Sequence, residues 1–367
     1  MKKAILLPRK FVLGRGVIDE VGDYAAVLGN RAVVLWGAHT KAAVGDAVLA
    51  SLDKAGVTYI DVLFNGESTK LEAERVAELA KDAELVVGIG GGKAVDTAKA
   101  AAIYARLPHI IVPTVASNDS PTSACTVWYD EAGTMLGFDL WPANPDYVLV
   151  DTEVIANAPS RLFVAGLGDA FATWFEADAN YQSRAVTCSG GVATMTAMAM
   201  AELCRDTIFD YGLQAAADVA IHAVTPAVEK VVEATTLLSG IGWESGGLAT
   251  AHAVGNGLPA LPETHHMLHG EKVAFGVVTQ VSLDEKLDPD LGTAAVEFLV
   301  RAGLPVTFEE LGIADIGPKR LRGFAASLAG EGSFIHNHPF VVTADDAHDA
   351  LLAADALGRA TKARLGR

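Results

Sequence analysis

Cysteine is scarce in this chain. Only Cys125, Cys188 and Cys204 occur, an odd number at spacings that fit neither a disulfide framework nor a zinc ribbon, so a reducing cytoplasm is expected. Long apolar runs are also missing, since none reaches the roughly 18 residues that cross a bilayer. The opening MKKAILLPRKF has a basic start and a short apolar stretch, but Pro8, Arg9 and Lys10 interrupt it before a signal-peptide core can form, which argues against export. Positive charge is outweighed, with 28 basic against 45 acidic side chains and a formal charge of -17. That balance repels phosphate backbones and anionic lipid at long range, so neither nucleic acid nor membrane is an expected partner. Its ordinary meaning is a solvated acidic surface.

What is present is a globular composition, 51% apolar and 20% charged over 367 residues. Single cores rarely grow beyond about 250 residues, so two domains are expected. The first part alternates β-branched runs with Ala-rich segments, the rhythm of βα units and a parallel sheet. Strands are expected at Ala32 to Trp36, Thr58 to Phe64, Glu84 to Ile89, His109 to Pro113 and Tyr147 to Val150. Apolar residues recur at helical spacing in Lys41 to Lys54, Lys70 to Lys81 and Lys93 to Tyr104. After Pro159 the strands give way to segments such as Met195 to Phe209 and Ala227 to Leu238, which read as helix. The expected organisation is a doubly wound α/β domain over 1–158 and an all-α domain over 159–367. The hinge near Asn157 to Pro159 would have a ligand cleft behind it, at the carboxyl ends of the strands.

The sharpest motif is GIGGGKAVDTAKA, Gly88 to Ala100, where an apolar strand enters a glycine cluster and a helix leaves it. Glycines there let backbone N–H groups approach a pyrophosphate at a helix N-terminus whose dipole favours anions. The spacing matches neither the usual dinucleotide fingerprint nor a nucleoside triphosphate loop, because Lys93 stands where the third glycine would be and no Ser or Thr follows it. A plain tight turn between strand and helix is the competing reading. One strand later, VPTVASNDSPTSACTVWYD from Val112 to Asp130 offers the hydroxyls of Thr114, Ser117, Thr122 and Ser123 for phosphate or ribose, and the carboxylate of Asp119. Asp119 reads equally well as an N-cap.

Four of the ten histidines lie in His252 to His269. Neutral imidazoles suit zinc and ferrous iron, and a catalytic site takes three protein ligands and leaves a position open. Asp169 in GLGDAFATWFEA is a candidate third ligand. It reads as the opening of an apolar helix, where a carboxylate either caps the helix or faces a cation. His265 and His266 read as substrate-facing or ligand-supporting groups. His222, His336, His338 and His348 read as ordinary core or surface residues.

Taken together, FNGE near Phe64, GIGGGKAVDTAKA, PTVASNDSPTSA, AGLGDAFATWFEA, SGGLATAHAVGNGL and HHMLHGEKVAFG resemble, in order and spacing, the glycerol dehydrogenase branch of the iron-containing alcohol dehydrogenase superfamily. The resemblance covers about residues 1–350. It implies a dehydroquinate synthase-like architecture, with an α/β nucleotide domain and a helical metal domain, and a metal-dependent dehydrogenase of small polyols that converts glycerol to dihydroxyacetone. It implies metal ligands at Asp169, His252 and His269, with Asp119 touching substrate. Nicotinamide cofactor contacts are implied at Gly37, in the turn Gly90, Gly91, Gly92 and Lys93, and at Asp96. Further contacts are implied at Thr114, Ser117, Ser123, Cys125 and Tyr129. Thr173 stands where the iron-binding branch carries another histidine, which favours zinc over iron. Family members commonly form octamers, so a homo-oligomer is expected.

Two positions depart from the pattern. The family's HAVHNG is HAVGNG here, so Gly255 replaces a histidine that lies beside the metal. This leaves open another vicinal diol or a 2-hydroxy carbonyl compound as substrate. Gly37 stands where glycerol dehydrogenases place the Asp that binds the adenosine ribose, and His39 and Lys41 are close in sequence. NAD is favoured, with NADP open, because neither basic residue is an obvious phosphate clamp. A dehydroquinate synthase-like lyase is disfavoured by the scarcity of Arg and Lys around Asp169 and His252. A non-catalytic NAD-binding sensor is the third reading.

Overall fold

A computed structural model describes residues 1–367. The chain forms two compact units. One comprises Leu6–Phe163 with Ala217–Gly240; the other comprises Met1–Ile5, Val164–Ala216 and Ile241–Arg367. The division at Phe163 and Val164 falls inside a continuous helix rather than in a linker.

The first unit is built on strands β1 (Lys10–Gly14), β2 (Arg31–Trp36), β3 (Thr58–Leu63), β4 (Leu85–Gly90), β5 (His109–Pro113), β6 (Cys125–Tyr129), β7 (Met135–Leu140) and β8 (Tyr147–Asp151). Six of them form one sheet in the order β1-β8-β5-β4-β2-β3, and every pairing in it is parallel. The central strands are continuous apolar runs because helices cover both faces of a parallel sheet. Every residue of β4, β5 and β8 is buried. The helices α1 (Val21–Leu28), α2 (Thr40–Lys54), α3 (Lys70–Leu79), α4 (Gly92–Ala105) and the short α5 (Thr152–Ala156) connect or flank the strands. Val34, Trp36, Val48, Leu52, Ile89 and Leu149 share one core.

Two elements of this unit lie outside the sequence expectation. The edge strand β1 pairs with β8 alone and keeps most of its side chains only partly covered, its apolar run confined to Phe11, Val12 and Leu13. In the antiparallel hairpin β6–β7, β6 is mostly buried, β7 alternates half-covered with exposed residues, and a bulge falls between Trp128 and Tyr129. Its first strand lies at the end of the hydroxyl-rich stretch Val112 to Asp130, and its second lies beyond that stretch, where no strand is expected.

The remaining helices are α6 (Ser160–Ser183), α7 (Met195–Val219), α8 (Pro226–Glu233), α9 (Ser239–Gly246), α10 (Thr250–Gly257), α11 (His269–Leu283), α12 (Pro289–Ala302), α13 (Pro318–Leu328) and α14 (Ala344–Leu365). Between α8 and α9 the backbone widens into a π-turn over Ala234–Leu238, where the sequence reads as regular helix. The second unit is helical apart from an isolated bridge of Lys3 to Val192. Phe171 anchors its core, with ring centroids 4.8 Å from both Phe209 and Phe298. Such aromatic pairs contribute about 0.5–1.5 kcal/mol each beyond the area they bury. No helix is long and apolar enough to cross a membrane.

Candidate functional site

In the second unit, Asp169, His252 and His269 converge, each offering a ligand atom within 4.8 Å of the others. They come from three helices: Asp169 from the interior of α6, His252 from the first turn of α10 and His269 from the first residue of α11. Asp169 therefore opens no helix and caps none. Glycine sets how closely these helices approach. A Cβ on Gly270 would lie 1.8 Å from the Ala165 carbonyl oxygen on α6, and one on Gly276 would lie 2.1 Å from that of Ala251 on α10. Only the absence of side chains at these crossings lets α11 press against both partners.

Asp169 is fully buried, and neither carboxylate oxygen has a hydrogen-bond partner. Its Oδ1 lies 3.4 Å from His252 Nε2 and 3.3 Å from His269 Nε2, near enough for strong attraction but not aligned as hydrogen bonds. Burial opposes ionisation of Asp169, but the facing His269 and His252 outweigh it and hold the carboxyl well below its ordinary range. Burial likewise disfavours a charged His252, which Glu176 and Asp169 overcome, pushing the imidazole upward. An anionic oxygen and two imidazole nitrogens drawn together, two of them on buried side chains and the third on the half-exposed His269, with no hydrogen bonds to satisfy them, form a donor set that fits a divalent cation.

Glu176 was not singled out from the sequence. It is fully buried on α6 and bonds His252 Nδ1 at 2.5 Å. The available signal was its spacing, seven residues after Asp169, which places both carboxylates on one face of a helix. Thr173 lies one turn beyond Asp169, with its methyl close to Gly242. Gly255 packs on α11, where a Cβ would come within 2.7 Å of Val273 Cγ2. His265 and His266 bond the carbonyls of Pro259 and Glu263 and are exposed. His338 is buried against Thr250 and Phe340.

In the first unit, β4 ends on Gly90 at φ +155, and Gly91 stands at the start of α4. Gly37, at the end of β2, has its amide bonded to the Ile89 carbonyl at 2.8 Å, and a Cβ on it would come 3.3 Å from Gly90 Cα. No side chain caps α4 and its first turn holds no acidic residue. The turn is thus an uncapped helix N-terminus lined by backbone, which suits a pyrophosphate. The Lys93 ammonium is paired with Glu67 at 2.6 Å and lies over the Tyr129 ring, 4.5 Å from its centroid. Lys41 pairs with Asp61 on the neighbouring strand.

Asp96 faces inward. Its carboxylate accepts from Ser120 Oγ at 2.6 Å and from the Val127 amide at 2.9 Å, and pairs with the buried Lys99 at 2.8 Å. Lys99 in turn bonds the Ser120 carbonyl and the Ser123 carbonyl and hydroxyl. Thr122 donates to the Thr236 carbonyl within the π-turn. Asp96, Ser123 and Thr122 therefore brace the loop between β5 and β6, while Thr114 and Ser117 are half-buried on it and Cys125 is buried at the start of β6. Asp119 precedes a 3-10 turn without capping it by its side chain, and accepts a hydrogen bond from Ser239.

Residues 8–152 match the iron-containing alcohol dehydrogenase family. Over 361 residues the chain is 43% identical to glycerol dehydrogenase of Pseudomonas putida, covering 98% of this chain and 99% of that protein. The chain belongs to the iron-containing alcohol dehydrogenase family. It is an oxidoreductase. Its fold superposes on the crystal structure of glycerol dehydrogenase from Schizosaccharomyces pombe with a TM-score of 0.95 at 33% identity, covering 100% of this chain and 93% of the other. Another relative of this alcohol dehydrogenase, glycolaldehyde reductase of Halobacterium salinarum, is 43% identical over 359 residues, 97% of this chain and 98% of that protein.

Proposed function

We propose that this protein is a metal-dependent, nicotinamide-linked dehydrogenase that oxidises glycerol at its central carbon to dihydroxyacetone. The observation that carries the reading is the convergence of Asp169, His252 and His269, whose ligand atoms lie within 4.8 Å of one another. These residues would hold the cation; the two-nitrogen, one-oxygen donor set suits zinc or ferrous iron, and Thr173 standing in place of a further imidazole favours zinc. A cation bound there supplies Lewis acidity, which lowers the pKa of a substrate hydroxyl toward neutrality. A bound nicotinamide would supply the hydride acceptor. The protein's part is placement. Gly90, Gly91, Gly92 and the Lys93 amide would cradle the pyrophosphate, and Asp119 would accept a hydrogen bond from a neighbouring substrate hydroxyl. Asp119 is held for that task by Ser239.

NAD is the favoured cofactor. Lys41 is engaged by Asp61 and Lys93 by Glu67, so neither ammonium is left to clamp a 2′-phosphate. A second reading, reduction of a small 2-hydroxy aldehyde, is supported by the equal identity to the protein named glycolaldehyde reductase. The same proposal includes cytoplasmic residence, consistent with three cysteines that form no disulfide. It also includes assembly as a homo-oligomer, an octamer by family resemblance, for which the exposed Val186, Met195 and Leu203 offer apolar surface.

The test is a spectrophotometric panel of glycerol, 1,2-propanediol, 2,3-butanediol, dihydroxyacetone and glycolaldehyde with NAD(H) and NADP(H), before and after chelation. Turnover of glycerol with NAD that chelation abolishes and zinc restores is the expected outcome. Turnover that survives complete metal removal would refute the proposal.

A further inference from the structure

The geometry points to Glu176 as a positioning residue for the metal centre, one that fixes His252 in the ring state presenting Nε2 toward Asp169. The inference rests on the reading of Asp169, His252 and His269 as metal ligands, and assigns a role to a residue outside that set.

Glu176 is fully buried, and a carboxylate so placed must be compensated by donors. It has three. Oε1 accepts from the backbone amides of Ala249 at 2.8 Å and His252 at 2.7 Å, while Oε2 meets His252 Nδ1 at 2.5 Å. The two amides belong to the N-terminus of α10, which has no cap of its own, so a carboxylate on α6 closes a helix distant in sequence. That clamp fixes both the position of the His252 backbone and the rotation of its ring. It also fixes the proton. An ionised carboxylate only accepts, so Nδ1 must carry hydrogen, and the lone pair available for a cation is on Nε2, which lies 3.4 Å from Asp169 Oδ1. Gln280 braces the same corner, accepting from the Ala251 amide and donating to the Phe175 carbonyl.

A glutamine of the same shape cannot do this. The two backbone amides would claim its oxygen, leaving its NH2 to face Nδ1. Nδ1 would then have to accept, and the imidazole proton would move to Nε2, the atom needed for ligation. A purely structural role would be retained by Gln. A tautomer-fixing role would not.

Zinc affinity of the full-length protein, read by competition with a chromophoric chelator, separates the two. Glu176→Gln is expected to weaken zinc binding by about 10–100-fold, the usual effect of losing a carboxylate behind a ligating histidine, while apo-protein circular dichroism and thermal unfolding stay close to wild type. His252→Ala and His269→Ala serve as references and should weaken it further. Wild-type affinity in Glu176→Gln alongside weakened histidine variants would overturn the role of Glu176 and leave the metal site standing. Wild-type affinity in the histidine variants would overturn the metal site itself. Should Glu176→Gln fail to fold, nitrogen-15 NMR of zinc-loaded wild type decides. A protonated, solvent-protected Nδ1 and a metal-shifted Nε2 at His252 support the assignment, and a metal-shifted Nδ1 defeats it.

Discussion

Ser239 donates its hydroxyl to Asp119 Oδ2 at 2.8 Å, across 120 residues of sequence and with both side chains buried. The π-turn just before Ser239 delivers it, and that turn is tied to the Asp119 loop through Thr122 and Thr236. Hydrogen bonds to a charged group contribute about 1.5–3 kcal/mol. Ser239→Ala should therefore lower kcat/KM for glycerol by on the order of tenfold, with bound metal unchanged. Steady-state kinetics with metal content measured on the same sample checks this. Unaltered kinetics would separate Asp119 from substrate placement.

Gly270→Ala addresses the convergence of the ligand helices. The new methyl would collide with a backbone carbonyl on α6 rather than with a flexible side chain, so α11 must move. A loss of about 3 kcal/mol or more is expected, as for other overpacking that the backbone must absorb, together with loss of bound metal. Gly255→Ala, whose nearest neighbour is the Val273 side chain, should be milder. Chemical unfolding and metal analysis of both variants would reveal the order; a fully stable, metal-replete Gly270→Ala contradicts it.

The Lys99–Asp96 pair is buried, and together the two residues carry the loop between β5 and β6. Breaking a buried pair by removing one partner costs about 3–5 kcal/mol, because the other charge is left uncompensated. Lys99→Met should lose stability of that order in urea unfolding, while the double variant Lys99→Met with Asp96→Leu should recover part of it. If the double variant is the sum of the two singles, the pair is not coupled.

His109 sets a pH dependence. Burial lowers its pKa from 6.5 to about 4, with the nearby Asp146 opposing only in part. Between those values the unfolded chain binds a proton that the folded protein refuses, so stability falls as pH drops through this window. The penalty is absent above about 6.5 and complete below about 4. A shift of this size corresponds to roughly 3 kcal/mol. Subtracting the pH–stability curve of His109→Asn from that of wild type should isolate the loss, and a flat difference between pH 4 and 7 would show that His109 does not cause it.

How the sequence divides between legible and hidden follows from the range of each interaction. The central strands, the helices between them and the glycine turn were readable because burial on both faces of a parallel sheet forces continuous β-branched runs, and a backbone-lined turn forces glycine. Those signals are local. The edge strand β1 and the β6–β7 hairpin escaped because their apolar residues come in short runs, three in β1 and alternating positions in β7, that carry less local signal than strands buried on both faces.

The candidate ligands Asp169, His252 and His269 could be named from motifs, yet their meeting could not, since it depends on glycines at helix crossings that no local pattern reveals. The sequence alone determined which donors and which turn were available, through residue types and short-range spacing. Tertiary structure decided the rest: that Asp169 lies inside a helix, that Asp96 and Ser123 face inward, that Ser239 holds Asp119, and that Glu176 stands behind His252. The physical reason is that a buried polar group must find its partner wherever packing brings one, and packing joins residues far apart in the chain.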